Sequence, residues 1–169
     1  MTTAAAVPRT VHRLVIDLDV PFDEFRARYE TAVPRYDVAA AATRFSDWGD
    51  VVADADRAAP NGFLIYAAID TWPIMAVAGL KPRSVVYLMG MHTIAETMYR
   101  HDPGVMLYAP LRAVLYEDYS GRAHYAIDQP SHLFGSFGDP EIAATGRLLD
   151  RKLAALFRTL GVAVPDTLA

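Results

Sequence analysis

The run GVMLYAPLRAVLYEDYSGRAHYAID, residues 104 to 128, constrains the fold more than any other part of the chain, because it reads as two antiparallel strands joined by one tight turn. Asp118-Tyr119-Ser120-Gly121 suits a type I turn closed by a left-handed residue: Asp can bond its own backbone at the first position, and Gly accepts positive φ at the last. With that turn, residues 118 and 122 face each other, followed by Tyr116 with His124, Val114 with Ala126 and Arg112 with Asp128 on one side of the ribbon. Leu115 with Tyr125 and Ala113 with Ile127 fall on the other. One face is apolar and the other polar-aromatic, and a one-residue slip would exchange them.

A chain of 169 residues can close one core without staples, and 53% hydrophobic with 21% charged residues is a globular composition. The net charge of −4, with 16 Lys and Arg scattered among 20 acids, argues against a nucleic-acid surface. The chain has no cysteine, which removes disulfides, thiolate nucleophiles and cysteine metal sites, so a metal would need His, carboxylate or Tyr ligands. No export-like start and no run of about 18 apolar residues is found, which predicts a cytoplasmic protein without membrane contact.

In chain order, residues 1 to 9 read as a flexible leader and 10 to 169 as one α+β domain. Leu14, Ile16 and Leu18 alternate with Arg13, Val15 and Asp17, the pattern of a strand covered on one side and lying at or near a sheet edge. Pro21 opens a helix whose stripe is Phe22, Phe25 and Tyr29. Residues 35 to 61 read as a helical insertion of two short helices. FLIYAAID, a continuous apolar run, predicts a central strand buried on both faces, and SVVYLMG a second. Between them Thr71 caps a short helix that stops at Gly79. Thr93 and Glu96 have the spacing of a capping box, so a helix is expected from Thr93 to about His101. Asp139 and Pro140 start the longest helix, with Ile142, Leu149, Leu153, Leu156, Phe157 and Leu160 as its stripe. The fold class expected is α+β: a single domain, a mostly antiparallel sheet of about five strands, helices on one face, and a long C-terminal helix across it.

Ordered landmarks between about Gly62 and Leu133 carry a resemblance. They are Ile69-Asp70, Ala76 to Leu80, Val85 to Gly90, Thr93 to Met98, Ala109-Pro110-Leu111, Leu115-Tyr116-Glu117-Asp118 to Gly121, and Asp128-Gln129-Pro130. In these the chain resembles the domain-of-unknown-function 302 family. The resemblance implies an α+β domain with helices on one face of a mostly antiparallel sheet, often paired into dimers, and implies no established activity. The chain departs from many similar sequences at Thr71, where they carry His, and at Met91-His92, where they carry Asn-Pro, so a site using that His is not carried over.

Three groups of residues carry candidate chemistry. His92, Glu96 and Arg100 share a helix face, and His92 with Glu96 could ligate a divalent metal completed by His124. The plain alternative is that Glu96 returns to Thr93 while His92 and Arg100 are solvated. The hairpin face of Arg112, Val114, Tyr116, Arg122, His124 and Ala126 must be wetted or covered, by a second subunit or by a ligand held between Tyr116 and His124. Met89, Met91, Met98 and Met106 gather with His92, His101, Tyr99 and Tyr108, as suits a flat apolar ligand or haem, or simply a core filled by Met. Gly90 has no phosphate-loop context, and Ser131-His132 makes no hydrolase motif.

Three functional readings follow. The first is a dimeric domain binding a small apolar or aromatic molecule through Met91, His92, Tyr108, Tyr116 and His124. The second is a haem- or metal-dependent enzyme using His92 or His124, and the third a structural dimerisation module.

Overall fold

Asp118 fixes the register of the sheet in the computed structural model, which describes residues 2–168. Its Oδ1 accepts from the Ser120 backbone N–H at 2.8 Å, the Ser120 hydroxyl at 2.6 Å and the Arg122 backbone N–H at 3.0 Å. Gly121 closes the turn at φ 85°, which a side chain would strain. Strands β4 (Leu111–Glu117) and β5 (Ala123–Asp128) pair on either side, Leu115 opposite Tyr125 and Tyr116 opposite His124, in the register the turn predicts. β4 begins later than the pattern suggests, because Pro103–Leu107 forms a 3₁₀ turn and Ala109–Pro110 is a cis peptide.

The sheet has five antiparallel strands in the order β1-β5-β4-β3-β2, with β1 at Arg13–Asp17, β2 at Leu64–Asp70 and β3 at Ser84–Gly90. β1 is an edge and β3 is internal, as their patterns predict. β2 is not central: it is the other edge. Its apolar run reflects local cover at one end, where Pro34 to Tyr36 bond to Ile65 and α3 (Trp48–Ala58) packs over Leu64; Ile69 at the other end is exposed.

Seven α-helices are described. α1 (Phe22–Ala32) and α7 (Pro140–Thr159) cover the inner sheet face, where Tyr125 meets Phe25 of α1 and Phe157 of α7. Tyr29, Tyr87, Tyr125 and Met89 are buried at the centre, the Tyr125 hydroxyl donating to that of Tyr29 and the Tyr29 hydroxyl to Met89 Sδ. Every residue of the predicted α7 stripe is buried, and Asp139 caps the helix by accepting from Glu141 and Ile142 N–H. Two positions outside the stripe also hold α7 in place. A Cβ on Gly146 would lie 3.0 Å from Ser131 Cα in α6 (Pro130–Phe134), and buried Asp150 accepts from Gln129 Nε2 at 2.8 Å and Ser131 N–H at 2.9 Å.

The segment at 35 to 61 contains α2 (Val38–Arg44) and α3, each capped by an Asp that accepts from a backbone N–H. α4 (Trp72–Val77) buries no side chain, and Thr71 at its start donates to the Ser84 carbonyl instead of capping. No helix among the described residues is long and apolar enough to cross a membrane. Residues 2 to 9 carry no regular structure, Met1 of the expected leader lies outside the described residues, and so does Ala169 of the expected 10–169 domain.

Leu153 is fully buried on α7 against the sheet. Leu153→Ala should cost about 2–5 kcal/mol in urea unfolding; a loss below about 1 kcal/mol would contradict this packing.

Candidate functional site

Helix α5 (His92–Tyr99) leaves the end of β3 and lays Met91, Ile94, Ala95 and Met98 inward, as its spacing predicts. Its start differs from the capping-box expectation. Met91, not Thr93, occupies the N-cap, so Glu96 has no orphan amide to return to and binds Arg100 at 2.5 and 2.7 Å. Between α5, the 103–107 turn, Pro110-Leu111 and the inner sides of Phe134 and Leu149 lies a cavity of about 280 Å³. Val38 of α2 and Met106, each about half exposed, stand among its lining residues.

Two lining residues carry polar side chains, Tyr66 and His92. The register of β2 against β3 shifts between Ile65 and Ala67, which makes Tyr66 the unmatched residue of a bulge, and a bulge re-aims the side chain it carries. The Tyr66 hydroxyl lies 3.0 Å from His92 Nδ1. Burial pushes its pKa well above that of a free phenol, so it stays protonated, and an interaction with the His92 backbone N–H opposes the rise. A hydroxyl that keeps its proton can donate it to Nδ1 or accept from Nδ1–H, and the imidazole tautomer follows from which it does. Nε2 is buried and has no hydrogen-bond partner.

Tyr36 stacks on the imidazole with centroids 5.0 Å apart. Its hydroxyl donates at 2.9 Å to Asp54, which also accepts from Arg44 and Arg57. Burial lowers the His92 pKa, with Asp54 opposing the change. His92 is therefore a neutral, held imidazole and not the solvated side chain that helical spacing alone suggests.

The other sequence candidates lie elsewhere. Tyr108 packs edge-on against Phe134 and Phe137 beneath Arg9, outside the cavity. Tyr116 and His124 are at the opposite end of the sheet: His124 lies beside Tyr116, which pairs with Ser84 at the start of β3, whereas His92 follows the end of β3, about 20 Å away at strand rise. They stack at 5.1 Å instead of holding a ligand between them, and both His124 nitrogens are taken, Nδ1 by Asp17 at 2.8 Å and Nε2 by Asp118 at 3.3 Å. The His92, Glu96, His124 metal set therefore cannot assemble, and no group of three metal-ligating His, Asp or Glu occurs among the described residues. Of the five residues expected to bind a ligand, Met91 and His92 meet at the cavity, together with Met98 and Met106 of the expected Met cluster. Tyr66 had one sequence signal, a lone hydroxyl in an otherwise aliphatic strand; Tyr36 and Asp54 had none, because the loop between α2 and α3 decides their meeting.

A family model described as "Domain of unknown function DUF302" matches residues 36–160. Among solved structures, that of an uncharacterized conserved protein DUF302 from Bacillus stearothermophilus is similar, with a TM-score of 0.63 at 15% identity over 88% of this chain and 97% of that one. That likeness is one of fold. No protein with a curated description matches the chain.

Because the folded chain resists protonating His92, the unfolded chain takes up that proton first as pH falls through about 6.5. The contribution of the neutral imidazole is complete above that pH and declines below it until the lowered folded pKa is passed. In urea unfolding at pH 7.5 and 5.5, His92→Phe should lose less stability between the two than the parent chain. Equal losses would show that His92 titrates normally.

Proposed function

The chain belongs to the DUF302 family, and on that premise we propose that it is a small-molecule-binding domain whose site is the cavity bordered by α5, Pro110 and Phe134. The observation that carries this reading is a preformed apolar cavity with His92 among its lining residues, whose buried Nε2 has no partner among the described residues. A buried polar group without a partner costs roughly 1–3 kcal/mol, and such a group is tolerated where a ligand or water completes it. At about 280 Å³ the cavity is near the lower end of small-molecule sites, which favours a compact molecule of one or two rings. Its apolar part contacts Met91, Met98, Met106 and Phe134, and its single acceptor oxygen or nitrogen is presented to His92 Nε2.

A second reading, haem iron or a divalent metal on His92, draws on the same atom. It requires the imidazole to carry its proton on Nδ1, facing the Tyr66 oxygen, and the lining offers methionine thioethers but no second imidazole or carboxylate beside it. A Soret band after adding haemin, shifted in His92→Ala, would favour it.

The small-molecule reading is tested with 2-naphthol as probe, followed by its fluorescence, alongside native mass spectrometry of the protein as purified. Ala95→Phe fills the cavity and should abolish 2-naphthol binding while circular dichroism stays unchanged. His92→Phe should weaken binding about two- to tenfold, the worth of one hydrogen bond. Undiminished binding in Ala95→Phe would place the probe elsewhere and remove the cavity from the account.

A further inference from the structure

Met91 and Ile94 line the cavity beside His92 and also a cleft of about 460 Å³, whose other sides come from the end of α3, the turn at 60–62 and α7. The cavity has an almost wholly apolar lining, whereas the cleft carries five polar side chains. One of these, Thr159, is occupied within α7, where its hydroxyl donates to the Ala155 carbonyl. The other four are Asp56, Asn61, Thr93 and Lys152, and each keeps hydrogen-bonding capacity that the fold does not use.

Lys152 reaches the cleft because residue 62 has no side chain. A Cβ on Gly62 would lie 2.8 Å from Nζ and 3.6 Å from Cδ, and the backbone there, at φ 73°, favours glycine as well. The stem packs over this gap, so Lys152 is half-buried, with no ion pair among the described residues. Thr93 is free because Met91 holds the N-cap, and its hydroxyl bonds no other group among the described residues. On α3, Asp54 takes both Arg44 and Arg57, while Asp56, two residues on, lies on another side of the helix and pairs with neither. Asn61 Nδ2 donates to the Ala32 carbonyl at 2.8 Å, which fixes the amide and leaves Oδ1 to accept.

The cleft therefore presents two donors, Lys152 and Thr93, and two acceptors, Asp56 and Asn61, with one full charge of each sign. A purely anionic ligand leaves the carboxylate unanswered, and a purely cationic one the ammonium; a zwitterion answers both. We propose that the cleft binds a free α-amino acid with an apolar side chain. Its carboxylate is received by Lys152 and Thr93, its ammonium by Asp56 and Asn61, and its side chain by Leu156 and Leu148, the latter 36% exposed in the free chain. At about 460 Å³ the cleft has an ordinary size for a small-molecule site. This goes beyond the cavity reading and does not rest on it.

The test is isothermal titration calorimetry of the full chain with L-leucine, beside two analogues that each lack one charge: isocaproate without the ammonium and isoamylamine without the carboxylate. Both should bind about tenfold more weakly than L-leucine, the worth of one charge-assisted hydrogen bond. Lys152→Met keeps a stem over Gly62 and removes the charge. It should weaken L-leucine binding about tenfold and leave isoamylamine binding as in the parent, because the partner of the missing carboxylate is already gone. Asp56→Asn should mirror it, weakening L-leucine and not isocaproate. Circular dichroism of both variants should match the parent, and the analogues compared on the parent chain test the proposal without any substitution. No heat from L-leucine, L-methionine or L-phenylalanine at millimolar concentration overturns the proposal. So does an analogue that binds as tightly as L-leucine, or a Lys152→Met chain that binds L-leucine undiminished.

Discussion

One carboxylate decides which way every residue of the sheet faces. Asp118 gathers Ser120, Arg122 and His124 around the turn, and these hydrogen bonds to its charged form hold its pKa far below the ordinary carboxylate range. A two-residue period makes register an all-or-nothing property: pairing Leu115 with Tyr125 sends both inward, and pairing Val114 with Ala126 sends both out. β1 and β3 add to the two sides of this hairpin and inherit its faces. The aromatic centre of Tyr29, Tyr87 and Tyr125 follows from that choice, because these rings meet only if β3 and β5 present the same face to α1.

With its helices on one face, the sheet leaves two regions incompletely filled. At the end of β3, the gap between α5, Pro110 and the inner sides of Phe134 and Leu149 is lined by Met, Ala and Phe side chains, while Gly146 of α7 packs closely on α6 nearby. Across the outer face, Ile69 on β2 and Val15 on β1, at the two edges of the sheet, stay about half exposed. The buried polar groups that join α7 to the rest, Asp150 and Gln129, are satisfied.

Local chemistry was legible in the sequence wherever it acts alone. The 118–121 turn, the α1 stripe, the Asp139 cap and the α7 stripe stand in the structure at the residues their patterns indicate. Legibility failed where a distant segment changes the meaning of a pattern. FLIYAAID reads as a central strand because an apolar run does not say whether its cover is a neighbouring strand or a passing loop; here Pro34 to Tyr36 and α3 supply it. Thr93 and Glu96 have capping-box spacing, yet the helix starts a turn position earlier at Met91, and Arg100 takes the acid. His92 looked solvated because Tyr36 and Tyr66, which enclose it, come from a loop and a bulge that leave no periodic trace. Tyr116 and His124 were rightly seen as neighbours, but Asp17, which occupies the imidazole, lies on a strand remote in sequence.

The cavity and the outer face share β4 yet present different physics. Leu111 points into the cavity and Arg112, one residue on, points to the outer face, so the strand separates the two by its own thickness. The polar side chains at and around the cavity are those of His92, Tyr66 and Tyr36; the outward residues Arg13, Asp17, Arg112 and Asp128 lie on β1, β4 and β5, and none of them lines the cavity. Charge exchange on β1 therefore leaves the imidazole and its burial untouched, while filling the cavity at Ala95 leaves the outward charges where they are. Because one face of a pleated strand cannot borrow side chains from the other, the cavity and the outer face of this sheet are built from disjoint residues, and a change at one leaves the other in place.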